Sequence, residues 1–475
     1  MVAAVAKDDA ERPAGSPASP TGPQAPASWR ARVSWAFFDW ANQPYFTVIT
    51  TFIFAPYFTA RVIGDSIEGQ SLWGFVQAFS AVLVALGAPF LGAIADAGGR
   101  RKPWLLGFQA MLAFGCGLLW LAQPGQPQLL PLVIVGLVLA NVAAEYSITF
   151  NNALLPGLET PQKVGWLSGL GWGMGYLGGL IALFGVLIVS QPELIGITPP
   201  PGQALLGLQR ASFEAERIIG PATALWLAVF VVPMFLFTPD RPGSGRPFTE
   251  VAREGFRRVI GTIRHMRQYG NLLRFLIAFM IYYDGLVAVI GFGGIYAAGI
   301  FGWGTTELGI FGILLNVIAI PAVIAGGWLD DRFGSKRAVQ FAIVAVALGT
   351  LGILSITADS IFFGMAVAPR QPGASLFSAA GERLFFVSAA LLGLGMGPMQ
   401  AASRTLVARL SPPDMVGEFY GIFSLSGRAT TFLAPLLIGI ATAVFHTQRI
   451  AAAIVLAFLA IGFVLLWKVR EPGHT

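Results

Sequence analysis

The amino-acid sequence predicts an all-α membrane protein with twelve transmembrane helices arranged in two halves of six. Three observations support this fold class: a low content of charge, twelve apolar runs of membrane-spanning length, and a repeat that relates the two halves. Only 11% of the 475 residues are charged, whereas soluble domains contain about 25%. This composition excludes a soluble enzyme, a disordered chain and a disulfide-stapled scaffold.

The twelve runs are each long enough to cross a bilayer, which requires about 20 apolar residues. In the first half they fall near residues 34–60, 71–96, 103–123, 128–153, 164–190 and 219–238. In the second half they fall near residues 271–297, 305–330, 338–356, 384–409, 415–445 and 449–468. We therefore predict an N-terminal half over 34–238 and a C-terminal half over 271–468.

Three polar segments flank and join these halves. Residues 1–33 are rich in Ala, Pro and Ser and contain no apolar stretch typical of a signal peptide, so we expect a flexible tail there and a second short tail at 469–475. The linker, 239–270, has apolar residues at helical spacing with arginines between them. This pattern predicts a basic amphipathic helix on the inner leaflet; a regulatory docking site is the alternative.

The distribution of positive charge predicts the orientation. With the N-terminus inside, 22 of the 30 Lys and Arg residues lie in cytoplasmic tails and loops, 6 lie outside and 2 lie within spans. Because cytoplasmic loops carry an excess of Lys and Arg, both termini are predicted to be cytoplasmic.

Metal, cofactor and enzyme chemistry have little support in the sequence. The single cysteine, Cys116, lies in an apolar run, and no CxxC or HExxH spacing occurs. The arginines are scattered between spans, which argues against nucleic-acid binding. We therefore predict no cofactor and no metal, and we rank an integral-membrane enzyme last among the functions considered.

An internal repeat relates the halves. The segment Phe-Phe-Asp at 37–39 matches Tyr-Tyr-Asp at 282–284, and Val-Gly at 164–165 matches Val-Gly at 416–417. The loops after the second and eighth spans match at a constant offset, with Arg100, Arg101 and Lys102 aligned on Ser335, Lys336 and Arg337. Such parallel six-helix repeats resemble those of the major facilitator superfamily.

These two loops also resemble the signature loop of that superfamily, Gly-x-x-x-Asp-x-x-Gly-Arg-Arg. Small residues allow helices to approach closely, and an acidic side chain can cap a helix N-terminus, so the loops are predicted to latch the cytoplasmic face shut in one state. The alternative is a static turn with solvated charges. The predicted gate residues are Gly92, Asp96, Gly99, Arg100, Arg101, Gly327, Asp331, Gly334 and Lys336.

Ionisable side chains inside a membrane are costly, so their positions are informative. In the superfamily that the loops resemble, the first, fourth, seventh and tenth spans line the central cavity, with help from the second, fifth, eighth and eleventh. The alternative role is ion pairing that only holds the bundle together. The predicted cavity or coupling residues are Asp39, Asn42, Glu145, Asp284, Arg404 and Arg428.

No histidine lies within a predicted span, so proton coupling would have to use the carboxylates. Two helix features are also predicted. Pro44 should break or kink the first span beside Asp39, and the glycine-rich fifth span should pack closely against its neighbours.

The chain further resembles the vacuole-effluxer-like family, the autophagy-related amino-acid effluxers and their bacterial relatives. The resemblance is carried by Phe-Asp-Trp-Ala-Asn at 38–42, Tyr-Asp-Gly at 283–285 and residues 395–427. Phe38, Gln-Pro at 43–44 and Arg428 depart from the family pattern. The resemblance implies export of small solutes, with amino acids as the best-supported class, and a location in a bacterial inner membrane.

The predicted function is secondary active transport of a small polar solute, an amino acid being one candidate, by alternating access with efflux favoured. The alternative is a membrane receptor or regulator that keeps the transporter fold without transport. The predicted partners are the solute, the lipid bilayer and protons as a candidate coupling ion, and the predicted state is a monomer.

Overall fold

The computed structural model describes residues 26–64, 66–301, 303, 305–371, 375, 377–430, 433–434, 437–438, 444 and 449–472. Most of the predicted N-terminal tail and much of the end of the eleventh predicted span therefore lie outside the described residues. The described part is almost entirely helical, and its two strands, β1 (Ser360–Ile361) and β2 (Met365–Ala366), form a short antiparallel hairpin.

Six principal helices form the first half. They are α1 (Trp29–Pro44), α2 (Ser66–Gly98), α3 (Lys102–Leu118), α4 (Leu130–Leu154), α5 (Val164–Ser190) and α6 (Ile219–Phe230). Shorter helical segments at Phe54–Tyr57, Glu214–Arg217 and Val232–Phe237 accompany them.

A linker helix and six further helices follow. They are α7 (Phe248–Arg264), α8 (Gly270–Phe301), α9 (Thr305–Phe333), α10 (Ser335–Leu354), α11 (Ala380–Leu410), α12 (Val416–Ala429) and α13 (Arg449–Trp467).

Within the described residues, nine helices are long and apolar enough to cross a membrane. They correspond to α2 through α6 and α8 through α11. The structure thus confirms an all-α protein with many membrane-length helices, and the count of twelve remains a prediction. The three others fall short for separate reasons: α1 changes helix type after Pro44, α12 has 14 residues, and α13 contributes a shorter apolar stretch, Ala453–Trp467.

The C-terminal part of the first predicted span is not a regular α-helix. Directly after Pro44 the chain continues as a π-helix over Tyr45–Phe52. The hydroxyl groups of Thr50 and Thr51 both donate to the Phe46 carbonyl at 2.8 Å. Side-chain donors of this kind satisfy backbone oxygens that an interrupted ladder leaves open in an apolar environment. The expected irregularity at the proline is therefore present as a change of helix type.

Two large hydrophobic cores hold the bundle together. One is built from buried residues between 35 and 234, and the other, apart from Ala153, from buried residues between 272 and 469. Each half therefore buries most of its apolar side chains against itself, and contacts between the halves are left to other residues.

The linker forms the helix that its apolar spacing predicts. Val251, Gly255 and Val259 are buried, and a Cβ on Gly255 would lie within 2.9 Å of the Ile94 backbone in α2. The ring of Phe256 is half exposed and stacks on Phe90 of α2, with ring centroids 4.5 Å apart. The helix thus packs on α2, while its position on the membrane surface remains a prediction.

Close backbone approach inside the second half yields a stability prediction. A Cβ on Gly462 in α13 would lie 2.5 Å from the Tyr282 Cβ and 3.0 Å from its backbone nitrogen in α8. Gly462→Val should therefore destabilise the protein by about 1–3 kcal/mol, the usual cost of overpacking. Gly185→Val is the matched control, because no atom lies within 4 Å of its added Cβ. Thermal unfolding in detergent measures both, and equal midpoints would contradict the packing described here.

Candidate functional site

Asp96, near the end of α2, binds the first turn of α12 in the other half. Its Oδ2 accepts a hydrogen bond from the Glu418 backbone N–H at 2.9 Å, and its Oδ1 pairs with the Arg101 guanidinium at 2.5 Å. Arg101 is buried and also donates to the Ala153 carbonyl at 2.5 Å. The carboxylate therefore caps α12 and is held in place by an arginine of its own loop.

Asp331, near the end of α9, makes the reciprocal contact. Its two carboxylate oxygens accept hydrogen bonds from the backbone N–H groups of Gly165 and Trp166, both at 2.8 Å. These groups belong to the first turn of α5 in the first half. Each predicted signature loop thus caps a helix of the opposite half. We call the two caps together the latch, and the end of the bundle that carries them the latch side.

Glycines allow the capped helices to meet backbone to backbone. A Cβ on Gly92 would overlap the Gly417 carbonyl oxygen, and a Cβ on Gly327 would lie 2.6 Å from the Gly165 carbonyl oxygen. Any larger side chain at these positions would push the helix away and withdraw its first turn from the carboxylate. The predicted gate residues Gly92 and Gly327 therefore set the distance at which the latch forms.

The latch has a simple electrostatic basis. The first N–H groups of a helix have no partner within the helix, and they carry the positive end of its dipole. A carboxylate at this position stabilises a helix by about 0.3–1 kcal/mol, and by up to about 2 kcal/mol when it is partly buried. Two such contacts therefore contribute an energy of this size to the association of the halves on the latch side.

The two loops differ by one residue after their glycine. Gly99 and Gly334 occupy equivalent positions with positive φ, +84° and +90°, a conformation that favours glycine. However, Asp240 accepts hydrogen bonds from the N–H groups of Arg101 and Lys102, two and three residues after Gly99, whereas Glu471 accepts them from Ser335 and Lys336, one and two residues after Gly334. The predicted alignment of Lys336 on an arginine is therefore wrong by one position, because the second loop is shorter.

The lysines of the two loops bind their own half. The Lys102 ammonium donates to the Phe235 carbonyl at 2.9 Å, and the Lys336 ammonium donates to the Trp467 carbonyl at 2.8 Å. Arg100 packs against the linker. Of the predicted basic gate residues, the structure therefore brings Arg101 to a latch carboxylate, while Lys336 and Arg100 contact other parts of the chain.

Sequence reasoning missed a second pair of caps. Asp240 accepts hydrogen bonds from two backbone N–H groups at the start of α3, both at 3.0 Å. Glu471 accepts two at the start of α10, at 2.9 and 2.8 Å. Both residues follow the last helix of their half and are soon followed by a proline, Pro242 or Pro472. An acid between the last helix of a half and a proline is therefore the sequence pattern that could have predicted these caps.

Arg409, at the end of α11, was also missed, because no motif surrounds it. Its guanidinium pairs with Asp330 at 2.7 Å and with Glu471 at 2.6 Å, and it donates to the Pro161 carbonyl of the other half at 3.0 Å. It thus joins the second loop, the C-terminal segment and the first half. Arg409 therefore pairs with an acid of the second loop, as Arg101 pairs with Asp96 of the first loop.

Farther from the latch, Arg404 of α11 inserts into the first half. It pairs with Asp39 at 3.1 Å, donates to the Ser168 hydroxyl at 2.9 Å and to the Asn152 side chain at 3.2 Å, and lies 5.0 Å from the Trp35 ring centroid. Two predicted cavity residues therefore form an ion pair between the halves. We call this group of contacts the clasp.

Glu145 and Arg428 form the second ion pair between the halves. Both side chains are about one quarter exposed, in contrast to the nearly buried Arg404. Four residues before Glu145, Asn141 accepts a hydrogen bond from the Tyr45 hydroxyl at 2.6 Å and donates to Gln77 at 2.6 Å. This pair is thus accompanied by a polar chain that crosses three helices of the first half.

Asp284 has a different environment. It occupies the position in α8 that matches Asp39 in the repeat, yet no ion pair to it occurs among the described residues. Its side chain is 2% exposed, and its Oδ2 accepts no hydrogen bond within the described part of the chain. Of the predicted acids, it is therefore the one buried without a basic partner there.

Asn42 lies away from the other predicted cavity residues. It is 3% exposed, donates to the Phe38 carbonyl at 2.9 Å and accepts from Gln109 of α3 at 3.1 Å. The structure therefore places it in the interior of the first half.

The chain is similar in sequence to known bacterial and fungal proteins. A bacterial protein, the uncharacterized MFS-type transporter YxiO of Bacillus subtilis, is 26% identical over 93% of this chain and 95% of its own length. Autophagy-related protein 22-1 of Penicillium rubens is 24% identical over 58% of this chain, and the match spans 44% of that protein. The chain thus spans about half the length of the fungal relatives that it matches.

Comparison with solved structures concerns the fold. The FucP transporter, crystallised in the outward conformation, superposes with a TM-score of 0.66 at 15% identity, covering 93% of this chain and 98% of FucP. The proton:xylose symporter XylE superposes with a TM-score of 0.62 at 15% identity, covering 93% and 96%. Both are major facilitator superfamily proteins.

A family model described as vacuole effluxer Atg22 like matches residues 57–472, most of the chain. Together with the major facilitator fold, this match establishes the kind of protein. The chain belongs to the Atg22-like vacuole effluxer family of major facilitator transporters.

Proposed function

We propose that this transporter moves a small polar solute, such as an amino acid, by alternating access, with efflux as the favoured direction. The observation that carries the proposal is the latch, in which Asp96 and Asp331 each cap a helix of the opposite half. These contacts can break and re-form without unfolding either half, because each half has its own hydrophobic core.

The proposal includes the full architecture. Two halves of six transmembrane helices, over 34–238 and 271–468, would flank the linker 239–270, with both termini in the cytoplasm of a bacterial cell. The two separate cores and the superfamily fold support this division. The latch side would then face the cytoplasm.

The contacts along α5 support a state that is closed on the latch side. Gly165 and Gly169, in its first turns, lie against α9 of the other half. Farther along the helix, Gly175 and Gly178 lie against α1 of the same half. Contacts at the α5 glycines, with Gly173 also against Ile324 of α9, therefore join the halves over the part of the helix nearer the latch, and this packing supports a state that is closed on the latch side.

The charges between the halves support a polar, zwitterionic solute. Asp39 with Arg404 and Glu145 with Arg428 place both signs of charge between the halves. An amino acid carries both charges and can pair with both. The resemblance to vacuole effluxers supports the same class of solute.

A receptor without transport is the competing function. Such a protein would not need two working latches, and this chain keeps both caps with similar distances. The paired latch therefore favours a transporter.

Counterflow in proteoliposomes tests the proposal directly. Vesicles preloaded with one unlabelled amino acid should accumulate the same labelled amino acid transiently, because exchange needs only alternating access. The assay is repeated over a pool of amino acids and other small polar solutes. Binding of a solute with no counterflow of any member of the pool would favour the receptor.

Loss of one cap should slow transport. Asp96→Asn removes the charge that stabilises the first turn of α12 and leaves Arg101 without its partner carboxylate. A loss of about 1.4 kcal/mol or more in the latched state corresponds to a fall in transport of about tenfold or more.

Transport rate and membrane expression are measured together for this variant. Asp414→Asn is the matched control, because this exposed acid precedes the same helix and accepts no hydrogen bond from it within the described residues. Unchanged transport by Asp96→Asn at normal expression would refute the latch.

Proton coupling makes a third prediction. If Asp284 carries the proton, Asp284→Asn should abolish uptake driven by a pH gradient while counterflow persists, since exchange requires no net proton movement. Asp359→Asn, in an exposed outer loop, is the control. Transport by the unmodified protein that is insensitive to both a pH gradient and a protonophore would rule out coupling.

A further inference from the structure

We propose that the second half carries a binding site for the phosphate group of an anionic phospholipid of the inner leaflet. The site is a cavity of about 900 Å³ at the latch side. We call it the basic pocket, and its charged lining residues are Arg274, Lys336, Arg337, Lys468, Arg470 and Glu471.

The pocket has an unbalanced positive charge. Its only carboxylate among these residues, Glu471, already accepts two backbone hydrogen bonds at the start of α10 and pairs with Arg409 at 2.6 Å. The cationic side chains of Arg274, Arg337, Lys468 and Arg470 make no hydrogen bond or ion pair within the described part of the chain. Four cationic groups therefore converge on one cavity without an internal counter-charge.

Its apolar rim indicates where the ligand lies. Trp467, at the end of α13, is 66% exposed, and Phe333, at the end of α9, is 37% exposed, and both line the cavity. Aromatic side chains at helix ends are typical of the membrane–water interface. A headgroup in the cavity would therefore have its acyl chains beside these rings, an environment that suits a lipid better than a dissolved phosphate.

The repeat does not account for the charges. At the equivalent place in the first half, the acid after the last helix is Asp240, and the following Arg241 donates to the Pro413 carbonyl of the other half at 2.9 Å. The cavity there is smaller, about 680 Å³, and its basic lining residues are Arg100, Lys102 and Arg241. The extra cations of the second half are therefore not needed to close a six-helix unit, and a ligand explains their convergence.

Basic pockets between helices on the cytoplasmic side bind anionic headgroups, and each Lys or Arg near such a surface adds measurably to the attraction. The site is independent of the transported solute. It would fix one edge of the second half to anionic lipid close to the loop that carries Asp331.

Native mass spectrometry of the full-length protein in detergent tests the site. The protein is mixed with equal amounts of phosphatidylglycerol and phosphatidylcholine of matched chain length. We expect preferential retention of phosphatidylglycerol, and a loss of that preference by about tenfold or more in Arg337→Gln/Lys468→Gln/Arg470→Gln. Arg253→Gln/Arg257→Gln/Arg264→Gln, on exposed positions of α7, removes the same charge elsewhere on the same side and should keep the preference.

Three outcomes would overturn the site. They are equal retention of both lipids by the unmodified protein, equal loss in the two triple variants (diffuse attraction), and displacement of the lipid by millimolar inorganic phosphate with no dependence on the acyl chains. Thermal unfolding without added lipid checks that the pocket variant is folded. Should it fail that check, Arg274→Gln alone, at the edge of the same cavity, is expected to weaken the preference severalfold.

Discussion

The rest of the structure depends on how the first turns of helices are satisfied at one end of an apolar bundle. Every helix begins with backbone N–H groups that lack an internal partner, and leaving them buried and unpaired is costly. This chain supplies carboxylates for four of these helix starts. Asp240 and Glu471 serve helices of their own half, whereas Asp96 and Asp331 serve helices of the other half. Asp240 and Glu471 therefore stabilise each half by itself. The caps that Asp96 and Asp331 make form only where the two halves lie against each other.

The two kinds of contact between the halves differ in how firmly they hold. The clasp inserts the Arg404 guanidinium among Asp39, Ser168 and Asn152, so most of its donors are satisfied at once. Removing one partner from such a buried group is costly, whereas moving the whole arginine into water exchanges protein partners for solvent. The more exposed pair of Glu145 and Arg428 is easier to separate. The contacts between the halves therefore differ in strength. The most exposed of them, the ion pair of Glu145 with Arg428, lies farther along the bundle than the latch and the clasp.

The sequence could predict the fold class, the latch carboxylates and the charged residues between the halves, because each follows from a local pattern. Asp96 and Asp331 lie in a repeated motif, and Asp39 and Arg404 are charges within apolar runs. Pairing was not predictable, since Arg404 and Asp39 are 365 residues apart and belong to different halves. Arg409 was missed because a basic residue at a helix end is ordinary in a membrane protein. The one-residue difference after Gly99 and Gly334 was hidden because an alignment by offset assumes equal loops.

The linker would set the pivot of the proposed alternating access. Since α7 packs along α2 through Gly255, most of the linker travels with the first half. The chain leaves that support only at the short turn over 265–269, which ends where α8 begins. The tyrosine of this turn, Tyr269, touches Met415 at the entrance to the helix that Asp96 caps. The covalent connection between the halves is thus short and lies beside one arm of the latch, so the proposed alternation would open that arm right next to the point where the halves are tethered.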